Sequence, residues 1–425
     1  MKVIRVGEKI KLNNVMDIST DVHKDILNFF FEAEGHEYSD ECKNRTNTIE
    51  KKLAAYHNIA KKHGRTGLRV ICEPTGEYQN KLLRTARRMG FLTSYVNAES
   101  VSKFRVVETN DNGKTDTKDP RVINTLGQLD KVIKHRILDE DYATLRKQGK
   151  FYDNIEVEIT RVKCKISRLL VELFCDYSFE KDFLYSNSGK ALMKNFGFNP
   201  YRIIDAGYDE FYRVMKEAVP RIRRETMRRL WRDASISVLN ELPPVYIELL
   251  EMELHQLLED YARQLERKES LKAMMLEILE RLRDKDPNIP PPTPNVISNI
   301  YIARLLGETG SPGDFTHWRT LMRYGGINIS ERQSGKFQGK NKITKKGRPL
   351  LRKILNLIVL PLIKKSGLYG EYYHRKKDVD KMVGTKAMTV VSRNFLKKFY
   401  GWYKSGEEFN LERFFACETE YKKAA

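Results

Sequence analysis

The stretch "NNVMDISTDVHKDILNFFFEA", residues 13–33, decides the fold expected for the first part of this chain. Its two apolar runs, 13–20 and 25–33, are typical of adjacent β-strands, and Asp17 stands inside the first of them. Strand and helix patterns then alternate: a helix is predicted over 45–64, a strand over 67–74, a helix over 77–90 and a strand over 91–97. This alternation predicts an α/β domain with a mixed or parallel sheet in residues 1–140.

The remainder of the chain is predicted to be mainly helical. In residues 141–286 no strand pattern remains, and apolar side chains recur at heptad spacing between 247 and 282. This seam predicts a coiled coil through which the protein dimerises; the alternative is a long helix packed within its own chain. The proline-rich segment 287–295 predicts a stiff linker before a further domain, residues 287–425.

The charge balance indicates a polyanionic partner. The 425 residues include 77 Lys and Arg against 57 Asp and Glu, a formal net charge of +20. Nucleic acid is the usual partner of such a protein, and an anionic membrane surface is the other possibility. The first residues lack the apolar segment of a signal peptide, and the longest apolar run, 355–363, is too short to span a bilayer. We therefore expect a soluble, cytoplasmic protein with no membrane partner.

Cysteine and histidine patterns exclude the common structural metal sites. The five cysteines are scattered without a CxxC pair, and the eight histidines show no paired ligand spacing. A zinc site or a disulfide framework is therefore not expected. Carboxylates would have to hold any metal that the protein needs, and they favour a hard ion such as Mg²⁺.

Four acidic residues in the first domain stand out by position. Asp17 lies inside an apolar strand, where its charge needs a cation or a hydrogen-bond network, and Glu73 ends a second apolar strand. Asp116 and Asp119 lie at the predicted start of a helix, where a spacing of three residues puts both carboxylates on one face. Each has a structural alternative, such as the helix N-cap for Asp119. Together they form a set able to hold two Mg²⁺ ions for displacement at phosphorus.

Two basic segments are candidates for phosphate contact. "RIRRETMRRLWRD", residues 221–233, carries six arginines, and arginine at that density favours phosphate contacts over a solvated helix face. Ser334 precedes a run from 336 to 353 that holds eight basic side chains and no acidic one. The nucleic-acid-binding residues predicted from these segments are Arg223, Arg224, Arg228, Arg229, Lys336, Lys340, Lys342, Lys345, Lys346 and Arg348.

The motifs "MDISTDVHKDIL", "CEPTGEY", "VNAESVSKFR" and "KTDTKDPRVI" resemble the RuvC-like domain of the IS-one-ten family of insertion-sequence transposases. The stretch "FTHWRTLMRYGGINISERQSGKFQGKNKITKKGRPLLRKIL" resembles the second signature of that family, in its transposase domain. The family's Asp-Glu-Asp-Asp set falls on Asp17, Glu73, Asp116 and Asp119, and its nucleophilic serine falls on Ser334. Pro120 stands where the family usually has alanine.

This resemblance implies an RNase-H-like domain, a coiled-coil middle region and a helical transposase domain. It implies DNA strand exchange in which Ser334 attacks a phosphodiester while the four carboxylates hold Mg²⁺, or alternatively Mn²⁺. The partners it implies are donor and target DNA, a structured bridge RNA as guide, and further copies of the chain, as a dimer or as four chains on DNA. The serine of one subunit would face the carboxylates of another, in a nucleoid-associated protein of a bacterial or archaeal cell.

Two other functions fit the same residues. A hydrolytic RNase-H-like nuclease or junction resolvase would use the carboxylates with water, and Ser334 would then be a turn residue. A non-catalytic RNA- or DNA-binding protein would need only the basic surface. A requirement for Ser334 separates the transposase from the first, and a requirement for the carboxylates separates it from the second.

Overall fold

The computed structural model describes residues 14–74, 76–109, 118–180, 182–330, 333–334, 337–338, 342–407 and 410. The chain divides into two compact units, residues 1–137 and 138–425. The finer division predicted from the sequence, into 1–140, 141–286 and 287–425, stays a prediction.

The first unit is built on one mixed sheet. Its six strands are β1 (Val15–Val22), β2 (Ile26–Ala33), β3 (His36–Lys43), β4 (Gly67–Cys72), β5 (Leu92–Tyr95) and β6 (Ile133–Lys134). They lie in the order β3-β2-β1-β4-β5-β6. β4 pairs in parallel with β1 and with β5, whereas the other pairs are antiparallel. The α/β prediction is confirmed, and the sheet is compatible with an RNase-H-like domain.

Helices cover both faces of this sheet. They are α1 (Thr46–Lys62), α2 (Asn80–Arg88), α3 (Ala98–Thr109) and α4 (Lys118–Gln128). Side chains such as Ile18 and Val70 point to the α1 and α2 side, where they join one apolar core. Ile71 points to the other side and packs with Val122 and Leu126 of α4 in a separate, smaller core. The alternation of side chains along each strand thus assigns every position of β1 and β4 to one of two helix layers.

The second unit is mainly helical, as predicted. Its helices are α5 (Glu140–Leu173), α6 (Asn187–Phe196), α7 (Pro200–Asp205), α8 (Tyr208–Ala218), α9 (Arg224–Ser237), α10 (Pro244–Lys285), α11 (Asn299–Thr309), α12 (Trp318–Gly325), α13 (Pro349–Leu362), α14 (Gly370–His374) and α15 (Gly384–Ser405). Four two-residue strands interrupt them: β7 (Ile329–Ser330), β8 (Gln333–Ser334), β9 (Phe337–Gln338) and β10 (Lys342–Ile343). None of the helices in the described part of the chain is long and apolar enough to cross a membrane.

The two longest helices, α5 and α10, form an antiparallel pair. Lys285 near the end of α10 donates to Asp141 at the start of α5, with a distance of 2.8 Å. Tyr246 at the start of α10 donates to Glu172 at the end of α5. One apolar core surrounds one end of the pair, with Leu250, Leu254 and Leu257 of α10, and a second core surrounds the other end, with Leu271, Met275, Ile278 and Leu282.

The heptad seam is therefore buried within its own chain. The same two cores contain α5 residues, among them Ile166 and Leu145, so the apolar seam of α10 packs on α5. Lys268, one of two polar residues that interrupt the seam, lies 3.2 Å from Glu156 of α5. The structure thus shows the alternative interpretation of the periodicity, a long helix packed within its own chain. The apolar seam therefore no longer supports dimerisation through α10, and oligomerisation stays a prediction.

The proline-rich segment is not exposed over its whole length, because part of it packs into an apolar core. Ile289 is 3% exposed and belongs to a core whose members range from Tyr142 to Tyr403. Arg283 of α10 also donates to the backbone oxygen of Pro290 at 3.0 Å. The chain on both sides of 287–295 accordingly shares one core.

Candidate active site

Asp17 is compensated by an arginine on the neighbouring strand. It lies opposite Arg69 in the parallel pairing of β1 and β4, and two guanidinium nitrogens of Arg69 donate to its two carboxylate oxygens, each at 2.6 Å. Burial lowers the pKa of Arg69, but the hydrogen bond and charge of Asp17 more than offset this, so its pKa is raised overall. The buried charge that the sequence reveals is thus neutralised within the protein. Asp17 also borders a cleft of about 200 Å³ at the amino end of β1.

Asp21 and Glu73 directly follow the last positions at which β1 and β4 pair with each other, at the carboxyl edge of the sheet. The register pairs Thr20 with Cys72, so the next residue of each strand stands beside the other. Asp21 is 7% exposed, and its Oδ2 lies 3.2 Å from Nε2 of His23. Asp17 and Glu73, in contrast, are four strand positions apart, about 13 Å along the sheet. Metal ions that act as a pair are about 4 Å apart, so Asp21 is better placed than Asp17 to share ions with Glu73.

Helix α4 brings Asp119 towards the same edge. Ser19 donates to Asn124 at 3.0 Å, and a Cβ at Gly127 would come within 2.9 Å of the Asp17 carboxylate, so only glycine fits there. The helix therefore runs antiparallel to β1. Asp119 precedes Asn124 by five residues, about 7.5 Å of helix, and this places it near the level of Asp21.

The carboxylate of Asp119 already has a cationic partner. Its side chain is 5% exposed, and Oδ1 lies 2.6 Å from Nη2 and 2.8 Å from Nε of Arg105 on α3. Asp119 lies inside the first turn of α4, which begins at Lys118, rather than at the N-cap. Pro120 is thus accommodated in that first turn, where no intrahelical N–H bond is lost. Asp116 lies outside the described residues.

The carboxylate side chains at this edge are the type of ligand that a hard divalent ion prefers, but they do not converge on one point. Carboxylate oxygens suit Mg²⁺ or Mn²⁺, whereas burial, together with the charge of Glu73, raises the pKa of Cys72 to about 12 and keeps this thiol protonated. Within the described ranges, however, no three His, Cys, Asp or Glu side chains converge at metal-binding distance. An ion would therefore compete with Arg105 for Asp119.

Ser334 lies near the tip of a β-hairpin arm. β7 pairs with β10 at the base of the arm, and within the segment between these two strands β8 pairs with β9, with Ser334 opposite Phe337 in the register. The nucleophile assigned by resemblance is thus carried at the end of an arm.

The base of this arm is held by a buried ion pair. Glu308 of α11 is 3% exposed and accepts from Nε and Nη2 of Arg348 at 2.6 and 3.2 Å. Arg146 of α5 donates to the hydroxyl of Tyr324 and to the backbone oxygen of Glu308. A Cβ at Gly347 would lie only 2.4 Å from Tyr324 O, so the close approach that this glycine permits is to the protein's own backbone. Arg348 is therefore engaged within the protein, and its predicted phosphate contact stays a prediction.

The other predicted basic residues differ in their placement. Lys342, Lys345 and Lys346 are exposed along the arm and its return, whereas Lys336 and Lys340 lie outside the described residues. Arg223, directly before α9, and Arg224 and Arg228 within this helix are exposed and form no ion pair within the described part of the chain. Arg229 instead donates to Ser178 at 2.8 Å and stacks 4.1 Å from the ring centre of Phe179. Its guanidinium therefore serves the packing of α9.

Comparison with known families agrees with this arrangement. Residues 18–175 match a family model named DEDD_Tnp_IS110 and described as "Transposase", and residues 293–374 match the model of the "Transposase IS116/IS110/IS902 family". These two matches place the chain among the transposases, an enzyme class that cleaves and rejoins DNA. The two matches cover more than half of the chain, which belongs to the IS110 family of transposases. No curated protein matches the chain.

Asp21 is a candidate site residue that the sequence-based prediction did not include. The first family match begins at residue 18 and therefore contains Asp21 but not Asp17. A signal was present in the sequence, because sites in α/β sheets lie beyond the carboxyl ends of the strands. Asp21 stands closer to the end of the apolar run than Asp17 does, but its alignment with Glu73 depends on the strand register, which the sequence does not state.

Proposed function

We propose that the protein cleaves donor and target DNA and exchanges their strands through a phosphoserine intermediate at Ser334, guided by a structured RNA. We further propose that Mg²⁺ or Mn²⁺ is held by Asp21, which takes the place first assigned to Asp17, and by Glu73, Asp116 and Asp119. The observation that supports the proposal is the strand register that pairs Thr20 with Cys72, the residues directly before Asp21 and Glu73, in a chain that also matches the family's second model.

In the proposed reaction, Ser334 Oγ attacks phosphorus and forms an O–P bond. The bond from phosphorus to one deoxyribose oxygen breaks, that oxygen takes up a proton, and the serine hydroxyl loses one. Rejoining reverses the step with the hydroxyl of another DNA end, so the phosphodiester is re-formed without ATP. A bound divalent ion supplies charge compensation at the phosphoryl oxygens. The four carboxylates would hold this ion in position. The exposed lysines of the arm would hold the DNA backbone near Ser334.

The guide RNA and the assembly belong to the same proposal. The resemblance to bridge-RNA-guided recombinases and the net charge of +20 support a structured RNA partner. We propose that the serine of one chain works with the carboxylates of another, in a dimer or in four chains around two DNAs. Because the seam of α10 is buried within its own chain, other surfaces would have to make these contacts.

The test compares two aspartates on one strand. Labelled DNA is incubated with guide RNA, Mg²⁺ and either wild type, Asp21→Asn or Asp17→Asn, and cleavage is followed together with DNA binding and thermal unfolding. We expect Asp21→Asn to abolish cleavage while binding and unfolding remain close to wild type. Full cleavage by Asp21→Asn, or by wild type in EDTA, would contradict the metal assignment. Cleavage that releases hydrolysed ends without rejoining would favour a nuclease instead.

A further inference from the structure

A short π-helix places two cations over a buried tyrosine. It spans Arg375–Val379 and directly follows α14, and π-helical turns occur often at functional sites. The guanidinium carbon of Arg375 lies 5.6 Å from the centre of the Tyr372 ring, and Nζ of Lys376 lies 5.7 Å from it. Tyr372 itself is 5% exposed. The π-helical turn thus places two positive charges beside the ring of Tyr372.

Arg393 lies on α15, which packs against α14 and the π-helix. Its Nε is buried and has no hydrogen-bond partner among the residues that the structure describes. Desolvation lowers the pKa of Arg393, and the interaction with Tyr372 offsets only part of this effect. Burying the Nε–H of Arg393 without an acceptor destabilises the folded protein, so this arrangement needs a reason other than stability.

Nearby acids do not neutralise the cluster. Asp380 accepts from Lys376 at 2.8 Å, and Asp378 lies 3.5 Å from His374. Arg375 and Arg393 form no ion pair within the described ranges. Two of the three cations thus remain available to an anion, and the anion that a transposase meets on every substrate is the DNA phosphate.

We propose that Arg375, Lys376 and Arg393, which together we call the Tyr372 cluster, form a binding site for one backbone phosphate of DNA. Such a contact fixes the position of the duplex and reads no sequence. Arginine suits this role, because its planar donors match two phosphate oxygens at once. The inference uses DNA as the substrate of the family but depends neither on Ser334 nor on the carboxylate edge.

The experiment measures how DNA affinity responds to salt. Each phosphate contact releases condensed counterions, so its loss lowers the slope of log K against log salt by about 0.9. A labelled random-sequence duplex is titrated with wild type, Arg393→Met and Arg267→Met at several KCl concentrations. Arg267 is an exposed arginine of α10 and serves as the control for a simple loss of charge. We expect the slope to fall by about one contact for Arg393→Met and not for Arg267→Met.

Thermal unfolding separates this role from a structural one. Because the unpaired guanidinium costs stability, Arg393→Met should unfold at the same temperature as wild type or above it. If this variant does not fold, Arg375→Gln carries the salt test with the same expected slope. An unchanged slope in the folded variants, or an equal change in Arg267→Met, would overturn the proposal. At saturating protein, Arg393→Met should still form the Ser334 adduct, so that failure of this site and failure of the proposed chemistry can be told apart.

Discussion

Asp17 and Arg69 face each other on neighbouring parallel strands and share two hydrogen bonds of 2.6 Å. Their side chains are only 14% and 7% exposed. Nη2 of Arg69 also donates to the backbone oxygen of Gly127 near the end of α4, at 3.1 Å. The pair thus ties two strands to a helix, and this structural role is sufficient to explain a charged residue inside an apolar strand.

Asp17→Asn should destabilise the protein. Breaking a buried ion pair leaves Arg69 uncompensated and costs about 3 kcal/mol, measurable by denaturant unfolding. Replacing both partners, as Asp17→Leu with Arg69→Met, should recover most of this loss, because buried pairs can be exchanged for apolar side chains of similar volume. The double variant should also cleave DNA. Normal stability of Asp17→Asn combined with complete loss of cleavage would instead return Asp17 to the metal site.

Substitution in the seam should lower the stability of the single chain. Met275 is fully buried in the core around α5 and α10, and Met275→Ala should cost about 2–5 kcal/mol. Because these contacts lie within one chain, the unfolding temperature of wild type and variant should shift equally with protein concentration. A variant that loses the concentration dependence shown by wild type would mean that the seam joins two chains.

Arg228 and Arg229 are adjacent arginines with opposite expected effects. Arg228→Gln should leave the unfolding temperature unchanged and reduce the salt dependence of RNA binding by about one phosphate contact. Arg229→Gln should lower the unfolding temperature, because it removes the bond to Ser178 and the stacking on Phe179. Equal effects of the two substitutions on stability would contradict this distinction.

The ion pair between α5 and α10 should make stability depend on pH. Hydrogen bonds from Lys285 and Arg281 hold the pKa of Asp141 below its usual value. The folded state thus keeps Asp141 charged at pH values where the unfolded chain is already protonated. The stabilisation is fully present above the unfolded pKa and is lost as the pH falls through the folded pKa. The difference in stability between wild type and Asp141→Asn should therefore be constant at neutral pH and vanish in acid. A difference that persists in acid would contradict this origin.

Sequence patterns predict the elements that have a pronounced apolar face. They do not predict a strand without buried positions, and they do not identify the partner on which a helix packs. Strands β1, β2 and β4 carry buried runs, whereas β3 reads "HEYSDECK", has no buried position and pairs only at the sheet edge. The periodicity of α10 indicates a long helix with an apolar seam, but periodicity does not say whether the partner helix is α5 or another chain. The choice of Asp21 as a candidate depends on the strand register, a long-range property that local patterns do not contain.

The most direct test of the account is whether Ser334 becomes covalently joined to DNA. Protein is incubated with a nicked, labelled target and guide RNA, resolved on a denaturing gel, and the adduct is digested and located by mass spectrometry. The account predicts a protein–DNA adduct whose modified peptide contains Ser334, and its loss in Ser334→Ala while DNA binding is retained. Normal recombination by Ser334→Ala, or cleavage by wild type without any adduct, would contradict it.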